Sequence, residues 1–122
     1  MKRLQRLRGN AHIRDLCAET EFTTAQLIQP LFVVDGISGE ESIPGLGETK
    51  RQNIAHTLSQ IERDLERGVS QYILFPVPGE KREANLRFDF GAQAVAEIKK
   101  RFGADLQLWV DTCMCSFTSH GH

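Results

Sequence analysis

The chain has 122 residues, with 15 Lys and Arg against 16 Asp and Glu, a formal net charge of -1 and 40% hydrophobic residues. That length supports one hydrophobic core but is about half the ~250 residues of a (β/α)8 barrel. A charge this close to neutral excludes a global field that would gather nucleic acid or an acidic membrane, and no apolar run approaches the ~20 residues of a membrane span.

The N-terminus is basic without an apolar stretch behind it, so it does not read as a secretion signal. The expected location is the cytoplasm, and the expected partner a small molecule or another protein chain. Three cysteines, two of them in a Cys-x-Cys pair, argue against a disulfide framework and for reduced thiols available to a metal.

Residues 1–10 carry Lys2, Arg3, Arg6 and Arg8 before Gly9-Asn10 and read as a basic arm. Residues 11–122 form the body. Ile13, Leu16 and Cys17 fall at helical spacing, which predicts a short helix to about Thr20 with Cys17 buried as a small hydrophobe. The apolar run Leu27 to Val34, stopped by Asp35-Gly36, has the character of a strand covered on both faces. Gly36 to Gly47 carries turn chemistry throughout and reads as a loop.

Ile54, Leu58, Ile61 and Leu65 recur at steps of four and three, with Gly68 placed as a stop, and predict an amphipathic helix. Tyr72 to Val77, bounded by Pro78-Gly79, is a second apolar strand. Glu80 to Gly91 reads as an irregular loop. Ala92, Val95, Ala96, Ile98 and Phe102 predict a second helix ending at Gly103, and Leu106 to Val110 a third strand. The alternation implies an α/β fold of parallel strands joined by right-handed crossovers. An open doubly wound sheet and part of a closed barrel both fit, and in both the chemistry gathers beyond the carboxyl ends of the strands.

The run Asp111-Thr112-Cys113-Met114-Cys115-Ser116-Phe117-Thr118-Ser119-His120-Gly121-His122 lies at that end of the third strand. On an extended strand Cys113 and Cys115 share a face, so both sulfurs can reach one ion. Zinc favours thiolate and imidazole donors, and a catalytic zinc takes three protein ligands with one position open. A third donor comes from His120, from His122 or from a residue after it. Asp111 is placed to bind an amine, orient an imidazole or move a proton. Thr118 and Ser119 read as turn and hydrogen-bonding residues, because no neighbouring base marks either as a nucleophile.

The closing motif resembles that of porphobilinogen synthase, whose zinc-dependent members carry Asp-Thr-Cys-x-Cys-x-x-Thr-Ser-His-Gly-His. Other parts of the chain match in order: Arg6-Leu7-Arg8 resembles the family's arm, Glu19-Thr20 and Leu27 to Val33 its entry to the first barrel strand, Ile43-Pro44-Gly45 its Met-Pro-Gly turn, and Leu74-Phe75 its second strand. The resemblance implies a TIM (β/α)8 barrel, of which this chain holds the arm and roughly the first three strands and two helices. It implies condensation of two 5-aminolevulinate molecules to porphobilinogen with loss of water, in tetrapyrrole and haem biosynthesis. Zinc would sit on Cys113 and Cys115, Asp111 in the substrate pocket, and His122, with His120 and Ser119, beside the metal. An allosteric magnesium is compatible with the family, and no residue here is assigned to it.

The arm is implied to wrap a neighbouring subunit in a homo-octamer. The family's third zinc cysteine follows the residue matching His122, and its two Schiff-base lysines lie on later strands. Lys99 and Lys100 belong to an outer helix. Gly79 to Phe90 lacks the longer Asn-Pro-Asp-Gly-type stretch of the family. The expectation is therefore the N-terminal part of a synthase, inactive as an isolated chain. The alternative is a truncated, non-catalytic homologue that acts as a zinc-binding or assembly module.

Overall fold

The computed structural model of the chain describes residues 6–121. The first half of the basic arm, including Lys2 and Arg3, and the closing His122 lie outside the described residues. The elements run α1 (Ala11–Leu16), β1 (Ile28–Val34), β2 (Glu40–Ser42), β3 (Lys50–Gln52), α2 (Ile54–Glu66), β4 (Gln71–Val77), α3 (Asp89–Phe102) and β5 (Gln107–Val110), with short 3-10 turns at Arg6–Arg8, Thr24–Gln26 and Met114–Ser116.

The strands form one sheet in the order β2-β3-β1-β4-β5. Strands β3, β1, β4 and β5 are parallel, with Phe32 beside Phe75 and Leu74 beside Val110, and β2 is antiparallel to β3. Helices α2 and α3 cover one face. Leu31, Val33, Tyr72 and Leu74 point into that layer and are buried against Ile61, Ala94 and Ile98. Gly91 lets α3 lie close on β4, since a Cβ there would come within 3.3 Å of the Pro76 ring. Alternation sends Phe32, Phe75 and Trp109 to the other face, where the Phe32 and Phe75 rings stack at 4.9 Å and Trp109 remains 47% exposed.

Both predicted long helices form. Asn53 caps α2, its Oδ1 accepting from the His56 N–H at 2.9 Å, and Gly68 ends it at a φ of +85°. Helix α3 begins three residues earlier than its apolar spacing predicts, at Asp89, which lies in its first turn and favours the positive end of the helix dipole.

Three expectations need correction. The loop between Gly36 and Gly47 contains β2, which pairs with β3 to extend the sheet from three strands to five. These strands are three residues long and charged; cross-strand pairs Glu40–Lys50 and Glu41–Arg51 stand in for the apolar alternation that would announce them. Helix α1 ends at Leu16 and does not reach Thr20. Cys17 is exposed and Leu16 is 86% exposed, because α1 is short, packs chiefly on the preceding turn and lays no apolar face on the sheet.

Candidate metal and substrate site at the carboxyl end of the sheet

Strand β5 gives way to the closing motif at Asp111, whose N–H donates to the Leu74 carbonyl at 2.8 Å and extends the ladder by one residue. The chain then leaves the sheet. The Cys113 N–H donates to Asp111 Oδ1 at 3.3 Å, and the 3-10 turn Met114–Ser116 follows with Cys113 as its N-terminal cap. That turn, rather than an extended strand, converges the sulfurs. Cys113 Sγ donates to Cys115 Sγ across 2.7 Å, and the Cys115 N–H points to Cys113 Sγ at 3.4 Å. Both thiols are free, with Cys113 exposed and Cys115 half-buried.

The hydrogen bond shared between the two sulfurs holds the Cys115 thiol above its usual range, with burial and the charges of Cys113 and Asp111 adding to the effect and the Ser116 N–H opposing it. Were both sulfurs ionised, they and the nearby carboxylate would repel one another, and a bound cation would relieve that repulsion. Among the described residues no cluster of three His, Cys, Asp or Glu side chains gathers on one point. The chain thus brings together two soft donors and a neighbouring carboxylate. Ser119 and His120 follow on the exposed side of the motif, and His122 lies outside the described residues.

The loop after β4 holds this motif from the side. The Arg82 N–H donates to the Phe117 carbonyl at 3.0 Å, and the Ser119 N–H donates to the Arg82 carbonyl at 3.3 Å. The Ser116 hydroxyl donates to the Pro76 carbonyl at 3.1 Å. Thr118 is buried, and its hydroxyl has no hydrogen-bond partner among the described residues. None of these roles is announced by spacing in the sequence, since Ser116 and Pro76 stand 40 residues apart.

Lys99 caps the end of α3, its Nζ donating to the Leu106 carbonyl at 3.4 Å, and Lys100 is exposed on the same helix. Neither is turned to the motif's chemistry. Between α3 and the motif runs an apolar groove of about 590 Å³, lined by Phe88, Val95, Val110 and Met114 among others. Val110 is 42% exposed and Met114 55%.

The sequence profile of the delta-aminolevulinic acid dehydratase family matches residues 1–122. The chain is 29% identical over 124 residues to the Bacillus subtilis delta-aminolevulinic acid dehydratase, covering 98% of this chain and 38% of that protein. It is 34% identical over 126 residues to the Helicobacter pylori enzyme, of which it covers 39%, and 35% identical over 126 residues to that of Ruminiclostridium josui, of which it covers 61%.

The crystal structure of the Toxoplasma gondii delta-aminolevulinic acid dehydratase (porphobilinogen synthase), in complex with the reaction product porphobilinogen, superposes with a TM-score of 0.87 at 26% identity. That match takes in 100% of this chain and 36% of the other. The chain spans well under half the length of most of these relatives, and its five-stranded α/β unit corresponds to part of a TIM barrel. Over its whole length, it belongs to the delta-aminolevulinic acid dehydratase family.

Proposed function

We propose that this chain provides the N-terminal portion of a porphobilinogen synthase, the lyase that condenses two 5-aminolevulinate molecules to porphobilinogen with loss of water. The observation that carries the reading is the convergence of Cys113 and Cys115, 2.7 Å apart, immediately beyond Asp111 at the carboxyl end of a parallel strand. That is where barrels and open α/β sheets alike place their chemistry.

The donor set fits zinc in type, since two thiol sulfurs are within reach of one ion and the backbone turn that presents them is hydrogen-bonded. Cys113 and Cys115 would hold the ion, with a third donor from His120, His122 or a residue outside the described ones. Bound there, zinc would act as a Lewis acid on a substrate oxygen. Asp111 would orient a substrate amine while its Oδ1 keeps the Cys113 N–H in place. His120 and Ser119, with His122, would complete the polar surround. The two Schiff-base lysines of the family have no counterpart in this chain, so the condensation is assigned to the whole synthase. An octamer built by arm exchange and a cytoplasmic location belong to the same reading, as does an allosteric magnesium with no ligand assigned.

A second reading, a non-catalytic zinc-binding or assembly module, is favoured by one observation: the apolar groove beside α3 and the exposed Trp109 and Val110 at the β5 edge call for cover. Zinc content per chain and pyrrole formation from 5-aminolevulinate, measured on protein purified from its source cell together with its intact mass, separate the two. Zinc bound, pyrrole formed and a mass well above 13.8 kDa support the synthase. Zinc without pyrrole at 13.8 kDa supports the module, and no zinc sinks the metal assignment in both.

A further inference from the structure

The carbonyls of β4 that face β5 fall at every second residue. The Gln107 N–H takes Ser70, the Asp111 N–H takes Leu74, and the next acceptor on that side is Pro76. Had β5 continued, the Cys113 N–H would have filled it. Instead the Cys113 N–H turns to Asp111 Oδ1 at 3.3 Å, and the Ser116 hydroxyl reaches back to the Pro76 carbonyl at 3.1 Å. A side-chain pair has replaced one rung of the ladder. The exchange leaves the Cys113 N–H and the Pro76 carbonyl both paired as the chain leaves the sheet, and it draws the intervening residues into the turn that converges the sulfurs.

We infer that Ser116 is a positioning residue for the metal pair: its hydroxyl, bonded to the Pro76 carbonyl, pins the carboxyl end of the 3-10 turn and so fixes Cys115 relative to Cys113. The inference rests on the zinc reading of that pair. The neighbouring fixings lie just beyond the turn, where Phe117 and Ser119 are tied to the backbone of Arg82. Without the Ser116 bond the carboxyl end of the turn is held only through the residues that follow it, by the Arg82 backbone and the Phe117–Phe88 contact, and Cys115 can shift relative to Cys113. The Ser116 hydroxyl is committed to the Pro76 carbonyl and is assigned no ligand role. Its effect is on geometry, as with other groups that orient metal ligands, where losing one typically costs about tenfold to a hundredfold in metal affinity.

The test is titration of the full chain with cobalt(II), a spectroscopic substitute for zinc, following the thiolate-to-cobalt charge-transfer absorption alongside thermal unfolding of the metal-free protein. Ser116→Ala is expected to weaken cobalt binding by about tenfold or more and lower the absorption per bound ion, with unfolding little changed. Ser116→Thr keeps the hydroxyl and restores both. Wild-type affinity and absorption in Ser116→Ala overturn the inference while leaving the zinc reading in place. So does a parallel loss of folding and binding in both variants, which would make Ser116 a stability residue only. No charge-transfer absorption in the wild type, and no change on Cys113→Ser, removes the zinc reading and this inference with it.

Discussion

The Phe117 ring lies 4.8 Å from the Phe88 ring at a tilt of 49°, which joins the residue following the cysteine turn to the residue that opens α3. Phe117 is 5% exposed and Phe88 49%, so the pair is asymmetric in energy. Phe117→Ala should destabilise the chain by about 3 kcal/mol, as buried Phe truncations do, and Phe88→Ala by about 1 kcal/mol. Denaturant unfolding of the two variants measures the difference. Equal costs would mean that the contact is less one-sided than its burial indicates.

Thr118→Val should leave stability unchanged or raise it by about 1 kcal/mol. Its buried hydroxyl makes no hydrogen bond among the described residues, so the substitution removes a desolvated polar group and breaks no pair. A clear loss in chemical denaturation would instead reveal a partner for that hydroxyl in the folded protein.

Tyr72 sets an alkaline limit. Its side chain is fully buried, and its hydroxyl donates to the Val69 carbonyl at 2.8 Å. Burial, aided by the charge of Asp64, pushes its pKa from 10.0 up to about 12. The folded chain therefore holds this proton more tightly than the unfolded one. The contribution is fully present below about pH 10 and is lost as pH rises through about 12, to the extent of about 3 kcal/mol. Tyr72→Phe should remove that part of the alkaline decline, and should lower stability near neutrality by about 1 kcal/mol because the Val69 carbonyl loses its donor. Unfolding curves of both proteins between pH 8 and pH 12 check the sign; identical slopes would count against it.

Metal removal should change thiol reactivity at two of three cysteines. Cys17 is exposed and is expected to react with an alkylating reagent whether or not zinc is present. Cys113 and Cys115, if they share an ion, are shielded until a chelator releases it. Mass spectrometry of the alkylated chain should find one modified cysteine before chelation and three after it. Three in both conditions would argue that the pair holds no zinc.

Much of the fold is legible along the chain. The apolar runs at Leu31–Val33 and Tyr72–Leu74 and the helical spacing of Ile54, Leu58 and Ile61 are local patterns, and each forms the element it predicts because burial of one face needs only a repeat of the right period. The closing motif is legible for the same reason, since its donors lie within a few residues of one another. The hairpin of β2 and β3 is not, because charge pairs across strands leave no apolar period in either strand. The burial expected of Cys17 also fails, since helical spacing predicts a helix without saying what, if anything, packs against it.

What the sequence by itself determined is the parallel α/β pattern, the place of the cysteine pair at a strand's carboxyl end and the family to which both belong. The tertiary structure alone decided how the sulfurs meet. They converge through a turn anchored by the Pro76 carbonyl and the backbone of Arg82, contacts that join residues 35 to 40 positions apart. Bonds of that separation depend on where the sheet ends and where the loop returns, and no spacing in the chain encodes either.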